Sequence, residues 1–133
     1  MKPIWIVDDD QSIRFVLEKA LLRENLPTRS FTNPREVLAA LEDSSDDDSQ
    51  GPQILVSDIR MPGGSGLDLL EKVKARLPGL PVIIMTAFSD LDSAVSAFQG
   101  GAFEYLPKPF DLPKAVELIR RAVEESQREE VAE

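Results

Sequence analysis

ILVSDIRMPGGSG, residues 54–66, is the stretch that decides the fold, because an apolar run ends abruptly in a carboxylate and a glycine-rich loop. The run Ile54–Ser57 has the length and apolar character of a buried strand. Asp58 follows it directly, at the point where open α/β sheets bind their ligands. The stretch therefore predicts a parallel sheet with a functional carboxylate at its edge.

Two other apolar runs end in polar residues in the same way. The run Ile4–Val7 is followed by three acids, Asp8–Asp10, and the run Val82–Met85 is followed by Thr86. Right-handed crossover connections bring the carboxyl ends of parallel strands to one edge of the sheet. We therefore expect the acids and the hydroxyl to gather there with Asp58.

Short apolar runs alternate with helical spacings along the whole chain, which is the (βα)5 pattern of a doubly wound parallel sheet. Asn33 followed by Pro34 predicts the start of a helix, and Asp111 predicts another. The predicted buried stripe of the third helix is Leu67, Leu70, Val73 and Leu77. The predicted strands are residues 4–7, 28–31, 54–57, 82–85 and 103–106, with a fourth helix near residues 90–99.

Composition excludes several classes of protein. The chain has 133 residues, a length typical of one domain, and no apolar run approaches the roughly 20 residues that span a bilayer. A net charge of −9 argues against direct nucleic-acid binding by this chain. The chain has no cysteine and no histidine, so thiol and imidazole chemistry must come from elsewhere. A cytoplasmic location is the default expectation.

Two segments fall outside the alternating pattern. Residues 42–53 are acidic and serine-rich and are interpreted as a solvated loop. Residues after Glu124 are polar and are interpreted as the start of a linker. We therefore predict one domain over residues 1–124 and a linker to further domains from 125–133.

The predicted meeting of Asp8, Asp9 and Asp58 has an electrostatic cost. Two carboxylates about 4 Å apart repel by roughly 4 kcal/mol at an effective dielectric of 20. A divalent cation removes this cost, and hard oxygen ligands with retained waters are typical of Mg²⁺. Asp10 has a second interpretation, because one acid at this position also caps the first helix. Capping does not explain the arrival of a third carboxylate from another strand.

Lys108 is predicted to complete the site. It lies between Pro107 and Pro109, directly after the fifth predicted strand, in a stiff segment. An ammonium there can pair with the Asp58 carboxylate and later with a phosphate on it. The bond between Lys108 and Pro109 is also a candidate for the cis isomer.

Four motifs together resemble the two-component response-regulator receiver domain, and the resemblance covers essentially the whole chain. In order they are residues 7–9 (VDD), 57–62 (SDIRMP), 85–87 (MTA) and 106–110 (LPKPF). Residues 58–63, 89–92 and 101–103 are similar to the nitrogen-regulatory NtrC class. The resemblance implies a flavodoxin-like (CheY-like) fold with strand order 2-1-3-4-5.

The resemblance also implies a role for each matching residue. Asp58 would accept a phosphoryl group from the phosphohistidine of a sensor histidine kinase. Asp9, Asp58 and the backbone carbonyl of Arg60 would bind Mg²⁺, with Asp8 acting mainly through water. The two residues implied to contact the phosphate are Thr86 and Lys108, and the aromatic residue implied to reorient with Thr86 is Tyr105.

The implied protein is a phosphoacceptor, not an enzyme with an external substrate, although it can catalyse its own phosphorylation and dephosphorylation. In a full-length NtrC-like protein, an ATPase domain acting on sigma-54 polymerase and a DNA-binding domain would follow, and the switch would control transcription in nitrogen regulation. Membrane contact is not expected, and the oligomeric state stays open, a homodimer included.

Two other functions compete with this interpretation. Asp8-x-Asp10 imitates the first motif of haloacid-dehalogenase-type phosphatases, which also form an aspartyl-phosphate with Mg²⁺. A pseudo-receiver that binds a partner without being phosphorylated is the second alternative. The sequence also departs from the family pattern at two positions: Ser65 replaces a common aspartate, and Phe88 stands where close NtrC relatives often have histidine.

Overall fold

A five-stranded parallel sheet lies at the centre of the protein, in a computed structural model that describes residues 2–43, 51–61, 64–87, 91–108 and 110–131. Its strands are β1 (Ile4–Val7), β2 (Thr28–Phe31), β3 (Ile54–Asp58), β6 (Val82–Ala87) and β7 (Glu104–Lys108). The order is β2-β1-β3-β6-β7, which is 2-1-3-4-5 when only these five strands are counted. The predicted fold class and strand order are confirmed.

Five helices connect and cover the strands. They are α1 (Gln11–Arg23), α2 (Pro34–Asp43), α3 (Gly66–Arg76), α4 (Leu91–Gln99) and α5 (Leu112–Val131). None of the helices in the described ranges is long and apolar enough to cross a bilayer.

Alternating residues of the strands feed two separate cores, one on each face of the sheet, because successive side chains of a strand point in opposite directions. Ile4 and Ile6 pack with α1 and α5, whereas Trp5 and Val7 pack with α2, α3 and α4. The same alternation continues across the sheet. The continuous apolar runs in the sequence are therefore explained by burial on both faces.

Local capping fixes where three helices begin. The Asp10 carboxylate accepts a hydrogen bond from the Ser12 amide at 2.8 Å, and the Ser65 hydroxyl accepts one from the Leu67 amide at 3.0 Å. The Asn33 side chain accepts one from the Glu36 amide at 3.1 Å. The predicted starts of α1 and α2 are confirmed, and Ser65 caps α3 despite its departure from the family pattern.

The structure corrects several details of the prediction. Leu77, which was predicted to be buried, is 36% exposed at the end of α3, whereas Leu69, which was not predicted, is buried. Two short antiparallel strands, β4 (Arg60–Met61) and β5 (Gly64–Ser65), pair within the segment that the sequence indicated was a glycine-rich loop. The strands β3, β6 and β7 extend further toward their carboxyl ends than predicted, which carries them into the site.

The C-terminal helix continues past the predicted domain boundary. α5 runs to Val131, and Ser126 is buried, so packing against the domain extends beyond residue 124. The division at 124 and the linker stay predictions. Residues 44–50 of the acidic loop, Phe88 and Pro109 with its candidate cis bond lie outside the described residues.

Candidate functional site

Strand register brings the predicted acids together. Val7 at the end of β1 pairs with Ser57 on β3, so the next residues along the two strands, Asp8 and Asp58, are neighbours at the carboxyl edge. Asp8, Asp9 and Asp58 each offer a carboxylate oxygen, and these oxygens lie within 4.8 Å of one another. The predicted gathering of these three acids is confirmed.

Asp58 is a buried carboxylate with two hydrogen-bond donors on the same oxygen. The backbone amide of Ile59 donates to its Oδ1 at 2.9 Å, and the ammonium of Lys108 donates to Oδ1 at 3.1 Å. Only 8% of the residue is exposed. The carboxylate is therefore held in a fixed orientation at the end of β3.

Asp8 and Lys108 complete a buried charged group. Asp8 is fully buried, and its carboxylate accepts hydrogen bonds from the Asp10 amide at 2.9 Å and from the Lys108 ammonium at 2.8 Å. Lys108 is the last residue of β7 and pairs in register with Ala87 on β6. One ammonium thus bridges carboxylates that come from β1 and β3.

The pKa values of Asp58 and Lys108 are both shifted by burial and by the neighbouring charges. Burial raises the pKa of Asp58 above its usual 3.8, and the charge of Asp8 raises it further, although Lys108 acts in the opposite direction. Burial by itself lowers the pKa of Lys108, but the hydrogen bond and charge of Asp8 together with Asp58 outweigh it, so this pKa is raised above 10.5. Lys108 therefore stays charged, whereas burial and the charge of Asp8 disfavour the ionised form of Asp58.

The donor set fits a hard divalent cation. Three carboxylates face one ammonium, so the cluster keeps excess negative charge. Asp9 is exposed, which leaves the cluster open to solvent on one side. Oxygen donors with room for water are what Mg²⁺ requires. The residues present therefore fit the predicted ion.

Thr86 lies near the carboxyl end of β6, the strand next to β3, and carries a buried hydroxyl. It follows Met85, the register partner of Asp58 on β6, and is only 1% exposed. Within the described part of the chain its Oγ1 has no hydrogen-bond partner. A buried hydroxyl without a partner costs free energy, so it would gain from an acceptor introduced at Asp58.

Tyr105 lies on β7, three residues before Lys108, and contacts α4. Its ring meets the Phe98 ring edge-on, with the ring centroids 5.7 Å apart. Phe98 and Val95 on α4 are 43% and 47% exposed. The predicted aromatic residue therefore lies at the boundary between the sheet and an exposed apolar surface.

Sequence reasoning missed how tightly the loop after Asp58 is held. The Gly66 amide donates to the Ile59 carbonyl at 2.7 Å, and a Cβ on Gly66 would lie 2.2 Å from the Asp58 carbonyl oxygen. The available signal was a glycine, a poor helix former, at the first position of a helix. Arg60 begins β4 in this loop, and the role predicted for its carbonyl stays a prediction.

The sequence profile of the response regulator receiver domain matches residues 4–120. The chain belongs to the response regulator receiver domain family. This membership decides between the receiver and the haloacid-dehalogenase-type phosphatase that the sequence left as alternatives.

The chain is 57% identical over 127 residues to the DNA-binding transcriptional regulator NtrC of Salmonella typhimurium, covering 96% of this chain and 26% of that protein. It thus spans about a quarter of the length of the curated relatives it matches. The solution structure of the apo receiver domain of nitrogen regulatory protein C has a TM-score of 0.81 at 56% identity, covering 95% of this chain and 97% of that one.

The BeF3-activated form of that receiver domain has a TM-score of 0.76 at 56% identity, covering 96% of this chain and 99% of that one. The prediction of a receiver domain similar to the NtrC class is confirmed.

Proposed function

We propose that this receiver domain accepts a phosphoryl group on Asp58 from the phosphohistidine of a sensor histidine kinase. The observation that carries the proposal is the buried Asp58 carboxylate, oriented by the Ile59 amide and bridged by Lys108 to a second buried acid. The chain has no histidine, so the phosphohistidine must belong to the partner.

The transfer exchanges one phosphorus bond for another. An Asp58 carboxylate oxygen attacks phosphorus, the P–N bond of the donor breaks, and the imidazole nitrogen leaves with the electron pair. Such a step requires positioning and charge neutralisation more than acid–base catalysis. The fixed carboxylate and the charged Lys108 provide both.

Asp8, Asp9 and Asp58, with the Arg60 carbonyl, are the residues that would hold Mg²⁺. The ion, when bound, neutralises the carboxylates and the transferring phosphoryl oxygens. Lys108 then pairs with a phosphate oxygen, because its ammonium already lies within hydrogen-bond distance of the Asp58 carboxylate.

Thr86 and Tyr105 are the proposed link between the phosphate and the surface. Phosphorylation adds roughly −1.5 to −2 charges and strong acceptor oxygens at Asp58. The Thr86 hydroxyl, which has no partner among the described residues, moves to donate to one of them. Tyr105 then repacks against Phe98, which alters the exposed surface of α4 and β7.

For the parent protein we propose an NtrC-like regulator of transcription in nitrogen metabolism. The support is the likeness to curated NtrC proteins about four times longer than this chain. An ATPase domain acting on sigma-54 polymerase and a DNA-binding domain would then follow the receiver domain. A cytoplasmic location and a homodimer remain part of this proposal.

Replacing the phosphoacceptor tests the proposed chemistry. Asp58→Asn should abolish Mg²⁺-dependent labelling by acetyl phosphate, because an amide does not form the acyl phosphate. The matched control is Asp68→Asn, which removes an exposed acid from the first turn of α3 and should label like the wild type. Full labelling of Asp58→Asn would overturn the assignment, and no labelling of the wild type would favour the pseudo-receiver.

A further inference from the structure

Arg14 reaches back from α1 to the turn that carries the acids. Its Nη1 donates a hydrogen bond to the backbone carbonyl of Asp8 at 2.6 Å, and the residue is half-buried. It lies in the first turns of α1, four residues after the Asp10 cap. The side chain thus connects the start of the helix to the end of β1.

The bond from Arg14 fixes one of the two peptide groups that flank Asp9. The Asp8–Asp9 peptide has its carbonyl held by Arg14, and the Asp9–Asp10 peptide has its amide held by the Asp8 carboxylate at 2.9 Å. Peptide groups are planar, so holding both of them restricts the two backbone dihedrals of Asp9. The direction of the exposed Asp9 side chain is therefore decided partly by Arg14.

We infer that Arg14 is a positioning residue that aims the Asp9 carboxylate at the cation site. This inference rests on the proposed function, because it assigns Arg14 a part in Mg²⁺ binding at the same acids. Residues that orient metal ligands without touching the metal typically change affinity by 10- to 100-fold when they are replaced.

The charge of Arg14 and its positioning role predict opposite changes in Mg²⁺ affinity when the residue is replaced, so the inference can be tested. A guanidinium beside an acidic cluster repels a dication, so its removal, by charge alone, should tighten Mg²⁺ binding. Loss of positioning should weaken binding. The two effects have opposite directions, and the inference requires that positioning dominates.

The experiment titrates the whole chain with MgCl₂ in isothermal titration calorimetry. We expect Arg14→Ala to bind Mg²⁺ about tenfold more weakly than the wild type. Arg14→Lys keeps the charge but loses the planar donor fork, so it should also bind more weakly, by about threefold. Lys19→Ala removes an exposed cation from the same helix that contacts the Phe15 ring, and its affinity should equal that of the wild type or exceed it.

NMR spectroscopy and thermal unfolding show whether each Arg14 variant is folded and where its backbone differs from the wild type. The Asp9 and Asp10 amide resonances should shift in Arg14→Ala, while the other resonances should keep the dispersion of a folded protein. If Arg14→Ala is unfolded, Arg14→Lys decides, and unchanged affinity in it overturns the inference. If folded Arg14→Ala binds Mg²⁺ as tightly as the wild type or more tightly, the inference about Arg14 is overturned but the proposed function is not. If the wild type itself binds no Mg²⁺, the proposed function is overturned as well.

Discussion

The two edges of the central sheet are built in opposite ways. At the carboxyl edge, Asp8, Asp9 and Asp58 crowd around one lysine, and the Thr86 hydroxyl has no partner in the described structure. In the proposed function, a cation and a phosphate complete the interactions of these groups.

At the amino edge, two neutral buried side chains have hydrogen-bond partners. The Gln53 side chain accepts from the Lys2 amide at 3.2 Å and donates to the Ser126 hydroxyl at 2.7 Å. Ser126 in turn donates to the Val123 carbonyl at 2.6 Å. Both side chains are buried, so this network ties the segment before β1, the start of β3 and the last turns of α5 together.

The difference shows how one sheet separates stability from function. Buried polar groups stabilise a fold only when each has its partners, which is the condition at the amino edge. A buried polar group without a partner destabilises the fold, and at Thr86 the proposed phosphate on Asp58 would reduce this cost. We therefore expect changes at the two edges to affect stability and Mg²⁺ binding differently.

The largest loss of stability is expected for Gly66→Ala at the carboxyl edge. The added methyl group would lie 2.2 Å from the Asp58 carbonyl oxygen, so the backbone must shift, at a cost of about 3 kcal/mol. Urea unfolding measures this cost. Gly64→Ala is the control, since among the described residues its methyl group would meet the Pro34 side chain, at 3.3 Å, and no backbone atom. Equal stability of both variants would show that the loop is not held as described.

Gln53→Leu should break the amino edge without touching the site. It removes the donor to the buried Ser126 hydroxyl and an acceptor for the Lys2 amide, and the loss of these hydrogen bonds costs about 1–3 kcal/mol. Mg²⁺ affinity should stay at the wild-type value. The exposed Gln99→Leu on α4 serves as the control. A parallel loss of Mg²⁺ affinity in Gln53→Leu would contradict the separation of the two edges.

Asp58→Asn should raise the stability of the metal-free protein at neutral pH, by less than the two losses above. Because the pKa of Asp58 is raised in the folded state, its favourable contribution is complete below the usual 3.8 and is lost as pH rises through the raised value. Asparagine avoids that loss, so the advantage of the variant should shrink as the pH falls.

Urea midpoints with EDTA across the acidic range measure this trend. Added Mg²⁺ should stabilise the wild type more than Asp58→Asn, because binding to the folded state alone increases stability. An advantage that grows toward acid pH would refute the assigned direction of the pKa shift.

The smallest effect is expected for Arg120→Ala, which removes an ion pair between α5 and Glu24, the residue that follows α1. Arg120 and Glu24 lie 3.0 Å apart, but the arginine side chain is 61% exposed. Exposed pairs of this kind contribute about 0.5 kcal/mol. A loss comparable to that of Gln53→Leu, measured by urea unfolding, would mean that the surface pair and not the buried network anchors α5.

Much of the site was predictable, because the change from apolar to polar residues in the sequence indicates where each strand ends. Apolar runs followed at once by Asp8, Asp58 and Thr86 predict both the strands and the edge at which they finish. The helix caps Asp10, Asn33 and Ser65 were also predictable, since capping depends on residues two or three positions away.

The sequence by itself determined the periodicities, the caps and the chemistry of the side chains, because these depend on neighbours along the chain. Only the tertiary structure decided which distant groups meet. The examples are the hydrogen bond from Arg14 to the Asp8 carbonyl, the hydrogen bond from Gln53 to Ser126, and the close approach of Gly66 to the Asp58 carbonyl. Their distances follow from packing of the whole sheet and its helices, which no local pattern encodes.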